Sequence, residues 1–321
     1  MEVTVIFGKV AGVFIMVLLG YVTNKIGWLP LESSKYLSKI VINIAAPCAV
    51  FYSMCTKEME EGAFWSVIVL LLGVTGLYFL AALLSVAVTK LQRVQKKNRG
   101  VFANFMIFPN NGFMGFPVCL AVFGADGLFY MVLSNVSSIV LLFTLAIYFV
   151  KKDRNVETRE KPARVPLGAR LKSICSFPLV SALVSLAFFL LQIPVHEGVL
   201  EVFSSVGTMM TPLSMIVIGL QLTESNFRAV ILDRSLTLMC LWRLVLIAGL
   251  VFLILMPFEI APLIRCVIVL NFALPCASVP VALAEEHGAD AKFAAEGAFL
   301  SILFSMVSLP IACVLLTLYV L

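Results

Sequence analysis

Ten apolar stretches recur through the chain, near residues 3–22, 36–55, 64–89, 100–123, 128–150, 171–193, 199–222, 235–257, 262–284 and 293–320. Each is long enough to cross a hydrocarbon core of roughly 30 Å as an α-helix. Inside a bilayer every backbone donor and acceptor must be paired within the protein, a demand that an α-helix meets within a single span. The pattern therefore predicts an all-α integral membrane protein, with ten transmembrane helices. Composition agrees: of 321 residues, 61% are hydrophobic and 13% charged, and the mean hydropathy is +1.07. The first apolar run follows Glu2 without a small-residue cleavage site, so it reads as the first membrane helix and not as a cleaved signal.

The longest polar break, "KKDRNVETREKPARVPLGARLK" at 151–172, leaves five spans on each side. The chain thus reads as a first five-helix repeat over 1–150, a cytoplasmic linker over 151–172 and a second repeat over 173–321. Lysine and arginine number 3, 5, 8, 2 and 1 at the loops after spans one, three, five, seven and nine, against only Lys57 and Arg265 in the even loops. The positive-inside rule makes the odd loops cytoplasmic and places both termini outside. This asymmetry also accounts for the net charge of +5 without a nucleic-acid partner.

An odd number of spans per half means that two similar halves must face opposite ways. "FPVCLAVFGAD" (116–126) in span four does match "VPVALAEEHGAD" (279–290) in span nine, with one inserted residue. The expected fold is two inverted five-helix repeats, a pattern of secondary transporters. Spans four and nine are also poor helices. "PNNGFMGFPVCLAVFGADG" (109–127) holds two prolines, four glycines and two adjacent asparagines. Proline removes a donor and glycine loosens the backbone, so helices four and nine are expected to break at Pro117 and Pro280, with Gly112 and Gly115 belonging to the same crossing. Backbone freed in this way must face protein or a water-filled cavity.

Neutral amides cluster beside these breaks. Asn110 and Asn111 precede Pro117, Asn271 and Ser278 precede Pro280, and Asn43 lies four residues before Pro47. An amide both donates and accepts hydrogen bonds and costs less to bury than a charge, which suits a site that must also release its ligand. Bonding between helices, or patching of broken backbone, is the competing role for each of them. Arg243 stands well within span eight and is a candidate either for attracting an anion or for snorkelling toward the cytoplasmic face. Freed carbonyls and amides are also ligands of the kind that hold Na+, the one cofactor the pattern admits.

Other chemistries lack their residues. The acids nearest the spans, Asp126, Glu285, Glu286 and Glu296, lie close to segment ends, so a buried carboxylate relay has no obvious member. His196 and His287 fall in loops, and the eight cysteines form no CxxC pair, which argues against an intramembrane enzyme, a metal site and disulfides.

The segments "PNNGFMGFPVCLAVFG" and "ALPCASVPVALAEEHGAD", with "LLGYVTNKIGWLPLESSKYLSKIVINIAAPCAVF" and "TPLSMIVIGLQL", resemble the signature regions of the auxin efflux carrier family, and the resemblance covers all ten spans. It implies helices four and nine unwound and crossing at Pro117 and Pro280, and an elevator-like shift of a transport domain against a scaffold of spans one, two, six and seven. It also implies a substrate carboxylate held near the crossing by amides and helix ends. Asn110 matches the asparagine of that motif, and Asn271 stands where plant carriers have glutamine. A dimer is implied by the same analogy. The short linker points to a bacterial-type permease of the plasma membrane, and the lack of an acidic-basic pair in span three is a departure from some plant members. The expected function is secondary transport of an organic anion, a small carboxylate or an auxin-like acid. A ligand-binding receptor with a carrier fold and a sodium-coupled symporter are the alternatives.

Overall fold

A computed structural model describes residues 3–59, 63–151, 177–223, 230–287 and 289–320. The described residues are overwhelmingly helical. The linker expected over 151–172 lies, from residue 152 onward, outside them. In chain order the helices are α1 (Val3–Lys25), α2 (Ser33–Cys55), α3 (Ala63–Leu91) and α4 (Arg99–Ile107). Next come α5 (111–123) and α6 (125–151), then α7 (Phe177–Leu190), α8 (Glu197–Gln221) and α9 (Arg234–Leu255). The last are α10 (Pro262–Ala273), α11 (Val279–His287) and α12 (Ala291–Val320). Six helical runs among the described residues are long and apolar enough to cross a membrane by length and composition. One of the six, Asn111–Lys151, turns at Gly124, whose φ of 71° and ψ of −161° suit a residue without a Cβ, and this divides α5 from α6.

Two packed groups are apparent. α1 lies along α8, and α2 packs on α7 and α8. Small residues make this possible: Gly219 presses on the backbone of Val17 and Tyr21, and Gly207 on Ala49, so that no side chain fits between. The second group gathers α3, α9, α12 and the interrupted helices around α4 and α10. Every residue of α4 from Gly100 to Ile107 is buried, as is every residue of α10 from Cys266 to Ala273. A helix that is apolar on all sides belongs in the interior. Both short helices thus deliver their C-terminal ends to the middle of the protein.

There the backbone departs from the expected pattern. The helix of span four opens at Phe108–Asn110 and not at Pro117. Proline disfavours helical geometry in the residue before it, and Phe108, which precedes Pro109, is extended at φ −97° and ψ 119°. Leu274 before Pro275 is likewise extended, at φ −65° and ψ 152°. Pro117 sits in the first turn of an α-helical run, directly after a π-turn over Asn111–Gly115 in which the Phe116 amide donates to the Asn111 carbonyl. This i→i+5 register absorbs the donor that proline lacks, so the helix runs on. α2 uses the same device: a π-turn over Val41–Ala45 precedes Pro47. Pro280 directly follows the second opening, at the second position of α11, where a proline needs no amide.

Candidate functional site

The two extended segments cross as a single antiparallel bridge between Pro109 and Cys276. The Asn110 amide donates to the Pro275 carbonyl at 2.9 Å, and the Ala277 amide to the Phe108 carbonyl at 3.0 Å. These bonds pair backbone that would otherwise lie unsatisfied in the protein interior, where each orphan group costs several kcal/mol. Tyr78 of α3, fully buried, packs against Phe108 of the first segment and Phe272 in the last turn of α10, with ring centroids 6.3 and 5.1 Å away. The Cys276 amide is taken by Ser301 Oγ of α12 at 3.1 Å.

Beyond the crossing, the chain direction gives α5 and α11 N-terminal ends that begin at the same place. A cavity of about 300 Å³ opens there, with walls from α2, the crossing, the start of α5, α6, α7 and the start of α11. Its polar wall consists of Asn110, Asn111, Asn135, Ser138 and Ser278, and the remainder is apolar, with Ile42, Phe113 and Phe116 among it. None of its lining residues is charged.

The site residues expected from sequence separate into three groups. Asn110, Asn111, Gly112 and Ser278 line the cavity. Asn110 caps α5, its Oδ1 accepting from the Phe113 amide at 3.3 Å. Asn111 donates from Nδ2 to Asn135 Oδ1 at 3.1 Å, and it borders the Tyr78 hydroxyl together with Ser138. At Gly112 an added Cβ would meet open space. Gly115 is enclosed instead, and a Cβ there would come within 2.7 Å of Leu274 Cδ1, so it lets the two segments approach.

Asn271 is fully buried and is not on the cavity wall. Its Nδ2 donates to the Tyr78 hydroxyl at 3.0 Å, tying α10 to α3 behind the crossing. Asn43 lies within the π-turn of α2 and is exposed, while its neighbours Val41, Ile42 and Ala46 face the cavity. The amide-proline spacing that singled it out reflects the turn that accommodates Pro47. Pro117 and Pro280 are likewise absent from the lining.

Arg243 neither snorkels nor reaches the cavity. It is 0% exposed and projects from a π-turn over Trp242–Ile247 in α9. Its Nε donates to Leu274 O at 3.2 Å, its Nη1 to Met106 O at 2.9 Å and Ile107 O at 3.2 Å, and its Nη2 to Asn271 O at 3.5 Å. All four acceptors lie at the C-terminal ends of α4 and α10. His196 caps α8, its Nδ1 accepting from the Gly198 amide at 3.2 Å.

Sequence reasoning passed over Asn135, Ser138 and Tyr78. Each lies in the middle of an unbroken apolar helix, far along the chain from either interruption. The only local signal was polarity inside a span: Asn135 sits in the run "SNVSS" at 134–138.

Residues 5–313 match the family described as membrane transport protein. Among curated proteins, an uncharacterized transporter of Methanothermobacter thermautotrophicus is 25% identical over 313 residues, covering 96% of this chain and 97% of that one. An uncharacterized transporter of Methanocaldococcus jannaschii is 25% identical over 302 residues, covering 92% and 93%.

Proposed function

The chain belongs to the membrane transport protein family, that of the auxin efflux carriers, and from that premise we propose that it is a secondary transporter of organic anions with its substrate site in the cavity beside the crossing. The observation that carries this reading is the meeting of two half-helix N-termini on a wall of neutral amides. A helix N-terminus carries about half a positive charge, so α5 and α11 together offer roughly one unit of positive potential without any fixed cation. Such a site attracts a carboxylate and, because no ion pair forms, releases it again. The apolar remainder of the wall suits the hydrocarbon body of a small carboxylate or an auxin-like acid.

The further elements of the proposal follow from the arrangement of the halves. The two interrupted helices run antiparallel where they meet, as inverted five-helix repeats over 1–150 and 173–321 would require. α1, α2, α7 and α8 would form a scaffold, and the group around the crossing would shift against it as an elevator. In the plasma membrane, with both termini outside, the lysine-rich loops face the cytoplasm.

Counterflow of labelled small carboxylates and auxin-like aromatic acids in proteoliposomes tests the reading. Asn110→Ala and Asn135→Ala are expected to lower saturable flux roughly tenfold or more, the loss of one hydrogen bond to a charged group. Wild-type flux in both variants would overturn the site. Saturable binding without flux in the wild type would overturn transport in favour of a receptor.

A further inference from the structure

We infer that the four carbonyl oxygens gathered behind the crossing form a cation site that the protein fills with its own Arg243, so that the crossing has no place for a sodium ion. The claim about coupling rests on the transporter reading, whereas the claim about the oxygen cluster does not.

The carbonyls are free for identifiable reasons. In an uninterrupted helix, Asn271 O would accept from the amide four residues on, but that residue is Pro275, which has none. Met106 O would accept from the Asn110 amide, which is bonded across the crossing to Pro275 O. Ile107 O and Leu274 O stand at the points where the chain becomes extended. The C-terminal ends of α4 and α10 each bring about half a negative charge, roughly one unit together. Carbonyls of unwound backbone and half-helix C-termini are the ligands with which transporters of other folds hold sodium. Here the same kind of cluster is taken by a planar fork of N–H donors at 2.9 to 3.5 Å.

Arg243 makes no ion pair among the described residues. Its charge is balanced by backbone dipoles alone, as that of a bound metal ion would be. Because the cation is tethered, it cannot be exchanged with solvent or supplied by an ion gradient.

Thermal unfolding of the purified protein in detergent, at constant ionic strength in choline chloride, sodium chloride or choline chloride with millimolar methylguanidinium, reads the cluster directly. Wild type is expected to melt at the same temperature in all three. Arg243→Ala is expected to melt several degrees lower in choline, and to rise saturably with methylguanidinium and, to a smaller extent, with sodium, as a ligand binding only the folded state requires. A purely structural loss of packing would show no such rescue. An alanine variant indifferent to both cations, or a wild type stabilised by sodium over choline, would overturn the inference. Arg243→Lys covers the case in which the alanine variant does not yield folded protein. It keeps the charge and loses the fork, so it is expected to melt below wild type yet equally in sodium and choline, and a sodium-dependent rise in that variant also counts against the proposal.

Discussion

Asn110 and Asn271 look alike in sequence, each an amide close to an interrupted helix, and their surroundings separate them. Asn110 borders open volume, whereas Asn271 is closed in by Tyr78 and lends only its backbone to Arg243. Their alanine variants should therefore fail differently. Asn271→Ala leaves the buried Tyr78 hydroxyl without its amide donor and is expected to cost about 1–3 kcal/mol of stability. Its melting temperature should fall while the concentration for half-maximal counterflow stays close to that of wild type. Asn110→Ala should instead lose flux, with a fall in melting temperature limited to the loss of its cap on the Phe113 amide, about 1 kcal/mol. Equal loss of flux in both would return Asn271 to the substrate wall. The sequence could show that these residues are amides inside apolar spans. It could not show which way each one faces, because half a turn of helix separates a cavity from a packed interface.

At the level of the helices, proline has two outcomes in this protein. Pro109 and Pro275 follow residues driven into extended geometry, and their segments pair with each other. Pro47 and Pro117 follow π-turns, and Pro310 lies inside α12, in helices that continue. Pro117→Ala is accordingly expected to change stability by less than about 1 kcal/mol, since the turn before it already satisfies the backbone. Pro275→Ala restores a donor to Asn271 O, competes with Arg243 and favours helix where the crossing needs extended chain, so a large drop in melting temperature is expected. Thermal unfolding of the two variants side by side decides between Pro109/Pro275 and Pro117/Pro280 as the residues on which the crossing depends. The matched segments at 116–126 and 279–290 drew attention to spans four and nine, and both are interrupted. The point of opening lay outside the match in both, since a proline's effect depends on whether a partner strand is there to take the freed amides.

Across the whole molecule, the four helices α1, α2, α7 and α8 pack on the crossing group, α1 against α12 and α2 against α5 and α6, with a few polar contacts between them. At one end of α2, Ser53 Oγ donates to Ala125 O at 2.6 Å, and Lys57 Nζ pairs with Asp126 at 2.9 Å, beside the corner at Gly124. The Asp126 side chain is 56% exposed, so the pair contributes little stability of its own. It does mark where the two groups would part if one slides against the other. In a Cys55→Ser background, Lys57→Cys with Asp126→Cys should be joined by a short bis-methanethiosulfonate reagent, which spans the distance that the lysine side chain covers, and this should arrest counterflow, with recovery on reduction. Full flux through the cross-linked protein would rule out an elevator shift at this boundary.

The sequence by itself determined that the chain is a helical membrane protein of this family and that spans four and nine are interrupted. It also placed the polar residues of interest near those interruptions. Those conclusions rest on quantities that are local along the chain: hydropathy over about 20 residues, which the thickness of the bilayer turns into a span, and prolines that remove a donor at a known position. Only the tertiary structure decided that the crossing is at Pro109 and Cys276, that Asn135 and Ser138 join the cavity, and that Arg243 binds four backbone carbonyls. Each of these depends on two segments distant in the chain meeting in low dielectric, where every freed amide, carbonyl and charge must find a partner, and that partner is chosen by packing.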